Sequence, residues 1–241
     1  MITKYQIKLI KSLRLKKNRT ETGFFVAEGE KIIDELIDSE IEIVEIFSIS
    51  EKYKSCNNFT LIKNAQLKQI SNLKSANTVV GIFKIPKSKN IDYNSNIIAL
   101  EEINDPGNLG TIIRLCDWFG IKNIICSNKS VDCYNNKVIQ ASMGSISRVN
   151  ISYMDFENLL MNKNYNTIAA DLSGENIKDF PFLSNQIIFF GNESNGFSEK
   201  LLSKIQKKVT IPRYNDNIDS LNLANSVAIV LSELKNQVTE R

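Results

Sequence analysis

Strand-length apolar runs that alternate with stretches of helical periodicity are the feature that most constrains this chain. In the second half, residues 97–101, 123–127, 167–171 and 186–190 are apolar at nearly every position instead of at every other one. A strand reads that way when both of its faces are buried. Between and after these runs, residues 104–120, 156–162, 198–206 and 221–237 place apolar side chains three and four apart, and shorter strand patterns fall near 147–151 and 208–211. Strand, helix, strand in succession predicts an α/β fold with a mostly parallel sheet covered on both sides.

The first half carries a second, smaller pattern of the same kind. A short apolar run at 24–27 leads into a helix whose apolar positions are Ile32, Ile33, Leu36 and Ile37, and strand-like runs at 41–49, 59–63 and 78–85 surround a helical stretch at 65–73. Residues 86–95 are polar and apolar-poor, the composition of a linker. The expected organisation is therefore a small α/β domain at 1–86, a linker at 87–96 and a larger domain at 97–241, which suits 241 residues at about 150 per domain.

Composition removes several classes. With 42% hydrophobic and 24% charged residues and only 10 Gly and 4 Pro, the chain is too apolar for disorder and too glycine-poor for a collagen. No run approaches the roughly 18 apolar residues of a membrane helix. The N-terminus lacks the apolar block and small-residue cleavage site of a secretory signal, so a cytoplasmic location is expected. There is no histidine, and Cys56, Cys116, Cys126 and Cys133 contain no CxxC pair. A Ser-His-Asp or Cys-His mechanism is thereby impossible, no metal site is expected, and the thiols read as reduced core residues.

The net charge is only +3, but its placement is uneven. Before residue 20 stand seven basic residues, Lys4, Lys8, Lys11, Arg14, Lys16, Lys17 and Arg19, and no acidic one, with Ile7, Leu9, Ile10 and Leu13 among them. This predicts a basic amphipathic helix, either a solvated face, one that meets phosphates, or one that meets an anionic membrane surface.

Three segments interrupt the regular pattern with polar residues. The first, 104–114, has an Asp-Pro-Gly turn, Asn108 as a candidate N-cap, and a helix from Leu109 whose stripe Leu109, Ile112, Ile113 and Cys116 opposes Arg114 and Trp118. Trp118 on that side calls for cover by another chain or the N-terminal unit, whereas Arg114 taken alone also reads as an ordinary surface arginine paired with Asp117 or another carboxylate. The second, Gly191-Asn192-Glu193-Ser194-Asn195-Gly196, follows an apolar strand, where parallel α/β folds bind ligands, though a turn needing glycine would look the same. The third runs from Ile211-Pro212 to Ser220-Leu221-Asn222 and opens the last helix. Capping explains Ser220, while Asn222 is expected inside the first turn of a helix buried on every side.

In this order and at these separations, the segments resemble the three signature motifs of the SpoU (TrmH) family of SPOUT-class RNA methyltransferases. Asn108, Gly110 and Arg114 match the first motif; Gly191, Asn192, Glu193 and Gly196 the second; Ile211, Pro212, Ser220, Leu221 and Asn222 the third. Residues 137–145 resemble the stretch that the family carries after its second strand, and Arg19, Phe24, Glu28 and Gly29 more loosely resemble its substrate-binding domain. The loop 213–217 departs from the family by lacking a glycine after the motif-three proline, and Leu223-Ala224 replaces Val-Ser.

The resemblance implies a SPOUT fold with a C-terminal trefoil knot behind a small α/β substrate-binding domain, and a homodimer with the active site at its interface. It implies S-adenosyl-L-methionine as cofactor and transfer of its methyl group to a ribose 2′-hydroxyl of RNA, ribosomal RNA before transfer RNA. Arg114, Asn108, Glu193, Ser220 and Asn222 would be the catalytic set, and Gly191, Asn192, Gly196, Ile211 and Leu221 would hold the cofactor. An inert RNA- or ribosome-binding protein on the same scaffold is the competing reading; a nucleotide enzyme of the doubly wound type lacks its glycine fingerprint here.

Overall fold

A computed structural model describes residues 2–73, 75, 77–161 and 164–239. In chain order the elements are α1 (Lys4–Ser12), α2 (Lys16–Thr22), β1 (Phe24–Glu28), α3 (Glu30–Ile37), β2 (Ile43–Ser48), β3 (Phe59–Leu61), α4 (Asn64–Ile70) and β4 (Val79–Lys84). There follow β5 (Ile97–Leu100), α5 (Pro106–Trp118), β6 (Asn123–Ser127), α6 (Asn136–Ser142), β7 (Asn150–Met154), α7 (Phe156–Leu160), β8 (Asn166–Asn176), β9 (Gln186–Phe190), α8 (Glu199–Leu202), β10 (Lys207–Thr210) and α9 (Leu223–Thr239). They form two compact units, one of residues Met1–Lys87 with Asp132–Ser147, the other of Ser88–Val131 with Arg148–Arg241.

The first unit is a four-stranded sheet in the order β1-β4-β2-β3, with β4 antiparallel to both neighbours and β2 parallel to β3. The core gathers Ile10, Leu13, Val26, Phe47, Leu67, Ile70, Val80 and Ile82. The segment 132–147, expected within an unbroken second domain, belongs to this unit. The reason is local: α6 packs on β1, the Tyr134 ring lies 4.9 Å from that of Phe25, and Asp132 takes the Arg19 side chain.

The basic N-terminal stretch forms two helices instead of one. Thr3 and Gln6 close a capping box on α1, with Gln6 N donating to Thr3 Oγ1 at 3.2 Å and Thr3 N to Gln6 Oε1 at 2.7 Å. Lys4, Lys8, Lys11, Arg14, Lys16 and Lys17 are exposed. Arg19, expected to face phosphate with them, is only 2% exposed. Its Nη1 donates to the carbonyls of Leu13 (2.8 Å) and Arg14 (3.0 Å), and its Nε to Asp132 Oδ2 (2.9 Å). Those bonds hold the α1–α2 corner and leave the guanidinium no role at the surface.

The second unit is a six-stranded sheet in the order β10-β8-β9-β5-β6-β7, and every pair in it is parallel. All the strands therefore end on one edge, and the order reverses between β5 and β9. Along β8, Lys208 of β10 pairs with Ala169 and Val209 with Glu175, so residues 170–174 leave the ladder. Gly174 permits the return, because a Cβ there would lie 2.5 Å from the backbone of Val209.

The helix expected at 198–206 is the shorter α8, and α5 and α9 also differ from expectation. α5 begins at Pro106, earlier than Leu109, because Asp105 is the N-cap, its carboxylate accepting from Asn108 N at 2.7 Å, and proline suits the first helical turn. α9 is one-sided: Ala224, Val227, Val230, Leu231 and Leu234 are buried, whereas Ile229 is 39% exposed. The stripe Leu109, Ile112, Ile113 and Cys116 of α5 is buried, and α5 packs on α9. Burial pushes the Cys116 thiol pKa far above its ordinary value; none of the four cysteines forms a disulfide, with Cys116, Cys126 and Cys133 in the core and Cys56 partly exposed. Among the described residues no helix is long and apolar enough to cross a membrane, and no group of three acidic, cysteine or histidine side chains could hold a metal ion.

Candidate active site

Because the strands are parallel, the loops after β5, β9 and β10 emerge on one edge of the sheet, with β5 and β9 flanking the point where strand order reverses. These loops are the three polar segments of the sequence. Glu193, half-buried in the loop after β9, accepts from Asn104 N at 3.4 Å, Asp105 N at 3.3 Å and Asn108 Nδ2 at 3.3 Å. Asn108 Oδ1 in turn accepts from Asn222 Nδ2 at 3.0 Å. A chain of hydrogen bonds thus joins all three loops through Glu193, Asn108 and Asn222.

Asn222 also caps α9, since its Oδ1 accepts from Ala224 N at 2.9 Å and Asn225 N at 3.4 Å. It sits before the first turn, not inside it, because the helix begins two residues later than its apolar pattern suggests. One side chain therefore fixes the helix start and its link to α5. Ser220, expected to cap, is exposed and makes no hydrogen bond among the described residues.

The loop after β9 is closed on itself. Asn192 N donates to Gly196 O at 2.9 Å and Gly196 N to Asn192 O at 3.0 Å, with Gly196 at φ +65°. Asn192 Oδ1 accepts from Ser194 N (2.9 Å) and Asn195 N (3.1 Å), while its Nδ2 donates to Glu102 O at 2.7 Å. The side chain named from sequence for the cofactor is thus engaged inside the protein.

The sequence reading missed three residues that shape the site. Asp105 caps α5. Glu101 binds Ser198 through both oxygens, at 2.6 Å to Oγ and 3.1 Å to N, tying the exit of β5 to the start of α8. Glu102 holds φ +47°, a left-handed conformation costly for a residue with a side chain, between the Asn192 bond to its carbonyl and a 2.8 Å bond from its N–H to Ser127 Oγ. The signal available for these was a run of carboxylates just past an apolar strand.

Arg114 stands apart from this cluster. It is exposed on α5, one turn from Trp118, which is 84% exposed, and makes no hydrogen bond or ion pair among the described residues. Asp117, the carboxylate expected to hold it, binds Arg148 instead, at 2.8 and 2.9 Å. One chain therefore assembles Glu193, Asn108 and Asn222 but not Arg114.

A sulfonium nucleoside asks for backbone hydrogen-bonding groups and apolar surface. The backbone amides of Ile211 and Leu221 make no hydrogen bond among the described residues, and the Leu221 side chain is 50% exposed beside Ile218 at 55%. Unmet amides and exposed apolar side chains at these positions are groups of the kind such a ligand needs.

Residues 95–232 match the model of the SpoU rRNA Methylase family. The chain belongs to that family. Residues 4–81 match an MRM3-like substrate binding domain, which accounts for the first unit's separate sheet. The 23S rRNA (guanosine(2553)-2'-O)-methyltransferase RlmP of Bacillus subtilis (strain 168) is 27% identical over 241 residues, covering 95% of this chain and 96% of that protein. Among solved structures, a protein of the TrmH family from Porphyromonas gingivalis superposes with a TM-score of 0.89 at 26% identity, covering 98% of this chain and 99% of that one. An AdoMet-bound rRNA methyltransferase from Sinorhizobium meliloti superposes with 0.86 at 26% identity, covering 99% and 97%. The fold is thus that of SPOUT methyltransferases with an N-terminal substrate-binding domain, and the family's cofactor is S-adenosyl-L-methionine.

Proposed function

We propose that this protein transfers a methyl group from S-adenosyl-L-methionine to a ribose 2′-hydroxyl of ribosomal RNA, as a homodimer in the cytoplasm. The observation that carries the proposal is the Glu193–Asn108–Asn222 chain, which ties three loops together at the strand-order reversal beside an uncommitted arginine. A scaffold kept only for binding would not require that chain. The extra substrate-binding domain and the rRNA methyltransferase relatives favour ribosomal over transfer RNA. Likeness to SPOUT structures also supports a trefoil knot in the segment that carries β10 and α9.

When bound, S-adenosyl-L-methionine supplies an electrophilic methyl on a positively charged sulfur, a leaving group that departs neutral. The protein's task is to align the 2′-oxygen with that methyl and to help the hydroxyl proton leave. The backbone at Gly191, Ile211 and Leu221 holds the nucleoside, while Glu193, Asn108 and Asn222 keep the loops in register. Ser220, exposed and unbonded on the motif-three loop, is free to meet the ribose. Gly196 gives the second loop its turn, and Asn192 pins that loop to Glu102. Arg114, a guanidinium that stays charged across the working pH range, binds the phosphate beside the target ribose and stabilises the developing alkoxide.

Since Arg114 does not join the cluster of its own chain, it serves the site of the partner subunit, with Trp118 buried at the same interface. Purified protein incubated with labelled S-adenosyl-L-methionine and separated ribosomal and transfer RNAs should label a ribose of ribosomal RNA; label on a base would overturn the reaction, and label confined to transfer RNA the substrate. Mixing inactive Arg114→Ala with inactive Leu221→Arg, which blocks the nucleoside surface, should restore about a quarter of wild-type activity through dimers with one intact site. An arginine acting within its own chain predicts no recovery.

A further inference from the structure

The first unit holds a cavity of about 280 Å³ whose polar groups are not spent on the fold. All of its lining residues belong to that unit, among them Val26 and Glu28 from β1, Asn72 and Leu73 after α4, and Asn136, Lys137 and Ile139 of α6. Val26, Leu73 and Ile139 give apolar walls. Glu28 is 4% exposed, its Oε2 accepting from Ser71 Oγ at 2.6 Å and its Oε1 from Asn72 N at 2.6 Å. Each of those oxygens retains a second lone pair.

Among the described residues, two side-chain atoms at this cavity are buried without a partner: Asn72 Nδ2, a donor, and Asn136 Oδ1, an acceptor. Buried polar atoms are rarely left so, because the desolvation cost is not recovered. The other large cavity, about 440 Å³ in the second unit, is different: there Lys200 pairs with Glu157 at 2.5 Å, Lys129 with Glu102 at 2.6 Å, and Glu101 with Ser198. Its charges answer one another, whereas the smaller cavity offers an unmet donor and an unmet acceptor between apolar walls.

We infer that this cavity receives one unpaired nucleobase of the RNA, held edge-on by Asn72 Nδ2 and Asn136 Oδ1. At 280 Å³ the space is below the roughly 300–1,000 Å³ of sites for whole small-molecule ligands, and suits a single planar ring. Sequence-specific RNA recognition uses unstacked bases in this way, reading their hydrogen-bonding edges. Exposed Lys137 at the rim, and exposed Arg14, which donates to Asn72 Oδ1 and to Ser71 O at 3.2 Å, set cations where the attached phosphates would pass. The inference rests on the reading of the chain as an RNA-modifying enzyme and adds a base-selecting site to it.

The test is fluorescence anisotropy of the full chain with four uridine hexamers of RNA, each carrying A, C, G or U at one central position. The wild type should prefer one central base by about tenfold, the discrimination expected of a good edge-on contact. Asn136→Leu and Asn72→Leu, which fill the cavity, should each reduce that base to the level of the other three. Lys137→Gln should weaken all four alike. Equal binding of the four by the wild type, binding of none, or a preference that survives both leucine variants overturns the inference. Wild-type melting temperatures for the leucine variants show that they fold, and calorimetric titration with S-adenosyl-L-methionine keeps the two readings apart: absent uptake by the wild type undermines the methyltransferase reading without touching base selection.

Discussion

The end of α2 and the middle of α5 each carry an arginine within a helix, and the structure treats them oppositely. Arg19 is buried with its donors spent on Asp132 and on two carbonyls, and its work is to hold the α1–α2 corner and the segment 132–147 in place. Arg114 is exposed with no partner among the described residues, although Asp117 lies one turn away and is used by Arg148. A satisfied, buried cation is a structural element; an exposed one without a partner among the described residues remains available to a ligand. Sequence gives no way to rank the two, and by charge patterning Arg19 belongs with the surface lysines.

The contrast predicts effects of different kind and size. Arg114→Ala should lower kcat by about a thousandfold, some 4 kcal/mol of transition-state stabilisation, while melting temperature and calorimetric cofactor affinity stay at wild-type values. Arg114→Lys should not restore the rate if planar phosphate contact is the function. Near-normal turnover in Arg114→Ala would erase the distinction between the two arginines.

Arg19→Met should instead cost stability, about 3 kcal/mol, because it strands the Asp132 carboxylate. That corresponds to a fall in melting temperature of roughly 6–12 °C for a chain of this size. Adding Asp132→Leu should recover most of the loss, since two apolar groups leave no uncompensated charge. An unchanged melting curve for the single variant would mean that the buried pair carries no weight.

Asn222 lies between these extremes, being cap and link at once. Asn222→Ala should cost about 1 kcal/mol through the lost cap. Asn222→Asp keeps the acceptor for Ala224 N but loses the donor to Asn108, so it should retain the melting temperature while lowering kcat/KM by about tenfold, which is about 1.4 kcal/mol. If both variants lose stability and activity together, the link to Asn108 has no separate role. The smallest effect is expected of Glu102→Gly, where relief of the left-handed backbone offsets the loss of the exposed Lys129 ion pair, giving a change within about 1 kcal/mol by chemical denaturation.

Much of the second unit could be read directly. The runs at 123–127 and 186–190 are β6 and β9 to the residue, because strands buried on both faces leave an unbroken apolar signal. Helix starts were less legible: α5 opens at Pro106 and α9 at Leu223, since a cap is chosen by which side chain reaches the free amides, and both Asp105 and Asn222 compete with equally suitable neighbours. The mixed sheet of the first unit was not visible either, as strand direction depends on pairings distant in sequence.

The sequence by itself determined the α/β class, and it singled out Asn108, Glu193, Asn222 and Arg114 as candidates, because periodicity and motif spacing are local properties of the chain. Only the tertiary structure decided that Glu193 and Asn222 both bond Asn108 while Arg114 bonds to none of the described residues, that Arg19 is interior, and that 132–147 packs on β1. Those outcomes turn on which donor meets which acceptor across separations of 85 to 114 residues, and on what desolvation costs those left unmet.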